Sequence, residues 1–259
     1  MTAIANATKE RLEAGALVVG MGLRLARTAD IGKLAAVSDQ DFLFIDLEHS
    51  ALSLETAAEI SAAALDTGCT PLVRASSHAA FHISRPLDGG AQGIVVPHVE
   101  TAAEARAVVD AALFPPRGHR SVAGGAPQLG YAAVPMAEAT EMLNAQTLVV
   151  VMLESPTAIE NADAIAAVDG VDALLIGTND LCAEMGRPGD YMHDDVVAAY
   201  EQTVAACRKH GKHAGMGGIY DERAERYIAM GVRMVLGGSD VGYLMAGAKA
   251  RSAFLRGLV

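Results

Sequence analysis

The sequence predicts an α/β protein folded as a (β/α)8 barrel, with residues 1–259 as a single domain. Three observations carry that expectation. Eight short runs rich in Val, Ile and Leu alternate with longer amphipathic segments along nearly the whole chain. The short runs show little polar alternation, which is the pattern of strands covered on both faces of a parallel sheet. The composition is 51% hydrophobic and 20% charged, enough for a large core, yet only 4% aromatic with no Trp. Ala, Val, Leu, Ile and Met must therefore fill that core.

The strand candidates, in order, are residues 17–23, 42–46, 70–73, 93–97, 147–153, 171–176, 212–216 and 233–236. Helix candidates lie between them. Residues 54–68 carry apolar positions at helical spacing and stop at a Gly. Residues 101–112 open with Thr101 and Glu104, a capping-box pair. Residues 157–168, 194–210 and 221–230 read similarly, with Gly211 and Gly231 as stop signals for the last two. The long connection 114–146, dense in Pro and Gly, reads as a loop of functional length. A doubly wound open sheet is the alternative topology. It calls for GxGxxG after the first strand, and Gly20-Met21-Gly22-Leu23-Arg24-Leu25 lacks the third Gly.

A formal charge of −11 argues against nucleic acid or an anionic membrane as the main partner, while leaving small anionic substrates open. No apolar stretch approaches the ~20 residues of a membrane span. The N-terminal segment lacks the apolar core of a secretory signal. Cys69, Cys182 and Cys207 are scattered, without zinc spacing, as expected of reduced thiols in a cytoplasmic protein.

In a barrel of this kind, reactive groups sit where strands end. The polar residues at those points are Asp46, Glu48 and His49 after the second strand, Arg74 after the third, His98 after the fourth, Glu154 after the fifth, and Gly177-Thr178-Asn179-Asp180 after the sixth. Gly217-Gly218 and Gly237-Gly238 follow the last two. Glu154 and Asp180 end adjacent strands and suit a hard divalent cation, although an N-cap for Asp180 and a salt bridge for Glu154 explain them equally simply. His49 is placed to act as a base or to pack in its loop. Arg74 ends an apolar strand and must find an anion, structural or substrate. Gly237-Gly238 permits close ligand approach or simply a tight turn. Asp88 precedes Gly89-Gly90 and reads as a turn cap.

Taken together, these residues resemble the HpcH/HpaI family of metal-dependent pyruvate aldolases. The resemblance begins with Phe44-Ile45-Asp46-Leu47-Glu48-His49-Ser50, a D-x-E-H pattern. It continues through Leu72-Val73-Arg74, Leu87-Asp88-Gly89-Gly90-Ala91-Gln92-Gly93 and Val96-Pro97. It then passes through Phe114-Pro115-Pro116-Arg117-Gly118-His119-Arg120-Ser121, Leu153-Glu154-Ser155 and Ile176-Gly177-Thr178-Asn179-Asp180-Leu181, in the family's order, over about residues 10–250.

The resemblance implies a hexameric barrel with its C-terminal helix exchanged between subunits. It implies Glu154 and Asp180 as ligands of Mg2+, Mn2+ or Co2+. Arg74 would hold the pyruvate oxygens, with Gly177, Thr178 and Asn179 also at the substrate. His49 would be the base, with Asp88 as its dyad partner, across a subunit boundary if need be. Asp46 would be an auxiliary acid, and Arg120 part of the loop closing the site. The implied reaction is reversible cleavage of a 4-hydroxy-2-oxo acid to pyruvate and an aldehyde through an enolate, with no Schiff-base lysine. Oxaloacetate decarboxylation, an enolate transfer like that of macrophomate synthase, and a silent oxo-acid-binding barrel are the competing expectations. The chain departs from the family at Met152, where a Gln is usual, at His98, usually apolar, and over residues 124–131.

Overall fold

Eight parallel strands hydrogen-bond to their sequence neighbours and the last closes onto the first, in a computed structural model that describes residues 3–259. The strands are β1 (Val18–Leu23), β2 (Phe42–Asp46), β3 (Thr70–Arg74), β4 (Gly93–Val96), β5 (Leu148–Leu153), β6 (Ala173–Gly177), β7 (His213–Gly217) and β8 (Met234–Ser239). The helices are α1 (Ala7–Glu13), α2 (Ile31–Val37), α3 (Leu54–Ala64), α4 (Ala80–Asp88), α5 (Ala102–Ala112), α6 (Met136–Gln146), α7 (Pro156–Glu160), α8 (Ala162–Ala166), α9 (Thr178–Glu184), α10 (Asp194–His210), α11 (Ala224–Met230) and α12 (Asp240–Arg256).

Alternation along each strand divides the core in two. One set of side chains points into the barrel: Val18, Phe42, Phe44, Leu72, Val95, Leu148, Val150, Met152, Ala173, Leu175 and Met234, closed at the N-terminal end by Leu12 of α1. The other set, including Leu43, Ile45, Val73, Ile94, Val149, Val151, Leu174 and Ile176, packs under the helices. The closed ring leaves little interior room, so glycines alternate with large residues. Phe42 fills the space inside Gly20, and Leu72 fills that inside Gly93.

α1 was not anticipated as an element. It plugs the barrel floor through buried Asn6, whose amide donates to the carbonyls of Gln92 (3.0 Å) and Gln146 (2.9 Å) while its oxygen caps the helix at Lys9. The segment 114–146 is not wholly loop. Its last third is α6, which buries Ala139 and Leu143 against Phe114 and Leu129, an apolar stripe hidden behind the Pro/Gly-rich stretch. The helix expected over 157–168 breaks at Asn161, whose amide donates to the Glu100 carbonyl (2.8 Å). The helix expected from Asp221 starts at Ala224, because Asp221 is taken up by Arg223. Gly237-Gly238 lies inside β8, where the register against β1 slips by one residue, not in a turn beyond it.

α12 touches its own barrel at its start, where Tyr243 packs over Gly238, but buries nothing along its length. None of its residues is buried, and Tyr243, Leu244, Met245, Phe254 and Leu255 stand exposed along it. No helix among the described residues is long and apolar enough to cross a membrane.

A Cβ on Gly93 would lie 2.6 Å from the Leu148 carbonyl oxygen and 2.6 Å from a Leu72 methyl. The backbone oxygen cannot swing aside. Gly93→Ala is expected to lower unfolding free energy by about 2 kcal/mol, seen as a lower urea midpoint at unchanged slope.

Candidate active site

The site is the uppermost layer of the barrel interior. The inward alternation Phe42, Phe44 ends on Asp46; Leu72 is followed inward by Arg74; Leu148, Val150 and Met152 lead to Glu154; Ala173 and Leu175 lead to Gly177. The register pairs Asp46 directly with Arg74 and Leu153 with Ile176, which brings Glu154 beside Gly177. These polar residues roof a hydrophobic cylinder. Above them opens a cavity of about 230 Å³ lined by Arg24, His49, Arg74, Met152, Glu154, Asn179, Asp180 and Tyr220 among others.

Arg74 is 4% exposed, so its charge has to be met within the protein. Asp46 takes it in a two-pronged pair, Nε to Oδ1 at 3.0 Å and Nη2 to Oδ2 at 2.7 Å, and Glu48 takes Nη1 at 2.8 Å. Asp46 also accepts the backbone amides of Glu48 and His49 and the Nε of Arg24. Burial alone would raise the Asp46 pKa. The hydrogen bonds and charge of Arg74, the His49 amide and Arg24 outweigh it and hold the carboxyl below the usual range. Both oxygens of Asp46 are thus engaged, and the residue aims Arg74 and fixes the loop carrying His49. His49 is half exposed at the cavity rim, its Nε2 3.8 Å from Glu48.

Glu154 presents the opposite situation. It is 2% exposed, with Oε2 accepting the backbone amide of His98 (2.8 Å), while Oε1 has no hydrogen-bond partner among the described residues. Burial, with further contributions from Asp180 and Glu48 and opposed by the His98 amide and ring, pushes its carboxyl up to about 7. The His98 backbone stands at φ +53, a conformation that turns this amide toward Glu154. The same ring bridges Glu154 (3.2 Å) and Glu48 (3.2 Å). Space for the Glu154 carboxylate exists only because Gly177 has no side chain, since a Cβ there would collide with Oε1. A buried orphan oxygen beside Asp180 fits a divalent cation. No three His, Cys, Asp or Glu among the described residues form an all-protein cage. Two carboxylates completed by water and substrate oxygens is the mode Mg2+ and Mn2+ accept.

The other expected site residues divide. Gly177, Thr178 and Asn179 line the cavity with Asp180 in the first turn of α9. The Thr178 hydroxyl, however, is spent on the Gly217 carbonyl (2.6 Å) and Tyr200 (2.8 Å), so only its backbone can face a substrate. The Asn179 side-chain oxygen accepts from Tyr191 (2.7 Å). Asp88 and Arg120 do not reach their own cavity. Asp88 ends α4, which runs back antiparallel to the strands, and therefore lies at the barrel's N-terminal end. Arg120 follows α5 to the same end, bonds Asp88 at 2.6 Å and stacks on Phe114. Neither the His49–Asp88 dyad nor closure by Arg120 forms within one chain. Glu48, His98, Arg24 and Tyr220 were not assigned roles from sequence. Glu48 and His98 had a local signal, since each stands among the polar residues that follow an apolar strand.

Comparison with known proteins agrees with this geometry. Residues 23–246 match the family model "HpcH/HpaI aldolase/citrate lyase". The chain belongs to the HpcH/HpaI aldolase/citrate lyase family. A 4-hydroxy-4-methyl-2-oxoglutarate aldolase of Hapsidospora irregularis is 44% identical over 86% of this chain and 83% of its own length. A 4-hydroxy-2-oxovalerate aldolase of Novosphingobium aromaticivorans is 35% identical over 91% and 88%. Among solved structures, an HpcH/HpaI aldolase from Desulfitobacterium hafniense superposes with a TM-score of 0.90 at 30% identity, over 96% of both chains. In a (β/α)8 barrel the layer at the C-terminal ends of the strands is where active sites lie.

A cation needs the ionised form of Glu154, and a proton competes for it. Mn2+ affinity, measured by titration calorimetry, is expected to weaken about tenfold per pH unit below pH 7 and to level off above it. The linkage to folding has the opposite sense. Because the folded-state pKa is raised, this group makes the metal-free protein less stable as pH rises through about 7.

Proposed function

We propose that this chain is a metal-dependent pyruvate aldolase that reversibly cleaves 4-hydroxy-2-oxo acids. The observation that carries this reading is a single cavity with Glu154 and Asp180 on one wall, Arg74 at its floor and His49 at its rim. Glu154 and Asp180 hold a divalent ion, Mg2+, Mn2+ or Co2+, which when bound adds positive charge to stabilise a developing enolate. Arg74, aimed by Asp46 and Glu48, faces the oxo-acid oxygens from the floor. The backbone of Gly177, Thr178 and Asn179 borders the same oxygens.

In the cleavage direction His49 accepts the proton of the 4-hydroxyl, directly or through a water. The C3–C4 bond breaks, the aldehyde leaves with its new carbonyl, and the bonding pair passes to the pyruvate enolate. C3 then takes a proton to give pyruvate, so the proton balance closes. Addition runs through the same steps in reverse. Met152 gives the cavity floor an apolar surface where a Gln is usual in the family.

The working protein on this reading is a homohexamer of the cytoplasm with α12 exchanged between neighbours. The exposed apolar residues of α12 support the exchange. Asp88 and Arg120 then serve the site of an adjoining subunit, which their position at the barrel's far end favours. The three thiols, buried and unpaired, suit a reducing compartment.

Pyruvate in D2O with Mn2+ is expected to exchange its methyl protons, and Glu154→Ala to abolish the exchange. A wild-type protein silent with every divalent ion would overturn the proposal. His49→Ala is expected to lose aldol cleavage by about 100-fold but oxaloacetate decarboxylation far less, because the latter takes no proton from a hydroxyl. Mixing His49→Ala with Asp88→Asn subunits and reassembling them should regenerate sites with both side chains intact, and with them cleavage activity. No recovery in assemblies shown to be mixed would mean that Asp88 acts elsewhere.

A further inference from the structure

Arg24 is the second arginine of the cavity, and the reaction as described does not use it. It stands just beyond β1, whereas Glu154 and Asp180 follow β5 and β6. In a ring of eight strands β1 is four places from β5, so Arg24 faces the two carboxylates across the mouth. Its position is set in advance. The Asp240 carboxylate gathers the backbone amides of Arg24 (3.1 Å), Leu25 (2.9 Å) and Ala26 (2.7 Å), pinning the loop to the start of α12. The side chain donates Nε to Asp46 at 3.0 Å and remains 49% exposed to the cavity. Its two terminal nitrogens donate no hydrogen bond among the described residues, so the flat donor edge of the guanidinium is available. Tyr220 lines the cavity as well, and its hydroxyl likewise has no partner among the described residues.

We propose that Arg24 selects the substrate by binding a second carboxylate, the one carried on C4. The inference rests on the aldolase reading of the same site. Arg24 and Arg74 both bond the Asp46 carboxylate, so only the width of one carboxylate separates their guanidinium groups. A substrate whose first carboxylate and oxo group lie toward the metal side and Arg74 meets Arg24 with the substituent on C4. A carboxylate attached directly to C4 is short enough to span that gap, and it is what an α-oxo acid acceptor leaves there. A methyl or longer alkyl group at C4 would leave the Arg24 donors facing no acceptor, which a site built for hydrogen bonding penalises. Holding the loop through Asp240 reduces the ordering needed on binding.

The test compares kcat/KM for 4-hydroxy-4-methyl-2-oxoglutarate and for 4-hydroxy-2-oxovalerate with Mn2+, read by pyruvate release and counting two pyruvates per molecule of the first against one per molecule of the second. The wild type is expected to favour the dicarboxylate, and Arg24→Met to reduce that preference by about 30-fold. A wild type without the preference, or a variant in which both substrates fall by the same factor, overturns the role assigned to Arg24. If Arg24→Met does not fold, Arg24→Gln, which keeps a polar side chain at the rim, is expected to lose the same preference, and an unchanged preference in it overturns the role. Pyruvate methyl exchange in the wild type separates the two levels. Exchange without dicarboxylate preference removes this inference alone, whereas absence of exchange removes the aldolase reading beneath it.

Discussion

Much of this molecule's upper half follows from burying one guanidinium. Arg74 ends an otherwise apolar strand inside a closed barrel, where an unpaired charge is not tolerated. Asp46 on the neighbouring strand lies in register with it and supplies both oxygens. It also accepts the His49 amide, so the loop bearing His49 is oriented by the same carboxylate that orients Arg74. Arg74 and His49 are thereby tied to one rigid point on the barrel rim, a form of preorganisation that loops alone rarely provide.

The opposite wall is left electrostatically unfinished. Glu154 is buried, with one oxygen held by the His98 amide and the other bonded to nothing among the described residues. In a protein built for stability alone such an oxygen would be a defect. Beside Asp180, and with Gly177 cleared of any side chain, it has the character of a ligand waiting for a cation. Full pairing at Arg74 and incomplete pairing at Glu154 divide the cavity into a fixed half and a half with an unmet acceptor.

The barrel's two ends have different tasks, and the helices explain why. Each helix returns antiparallel to its strand, so residues at helix C-termini collect at the end away from the site. Asp88 and Arg120 meet there as an ion pair. Residues that resemble catalytic ones in sequence can therefore lie far from their own cavity and still serve one, provided a neighbouring subunit presents them. α12, none of whose residues is buried, leaves apolar side chains exposed along it.

The local sequence determined the barrel. Its eight strand segments are legible because residues buried on both faces must be apolar in unbroken runs, and the structure places them within a few residues of the expected bounds. Arg74 and Glu154, at strand ends, were legible for a related reason, since a charge that terminates an apolar run requires a partner. What sequence could not show was pairing across space. The commitment of Asp46 to two arginines, the bridging of Glu48 and Glu154 by His98, the diversion of the Thr178 hydroxyl, and the cavity-facing edge of Arg24 all join residues on different strands. Those contacts depend on strand register and barrel closure, which bring side chains tens of positions apart in the chain to within one hydrogen bond. Local patterns of hydrophobicity carry no record of that distance, so only the tertiary structure could decide which charges were spent and which remained to act.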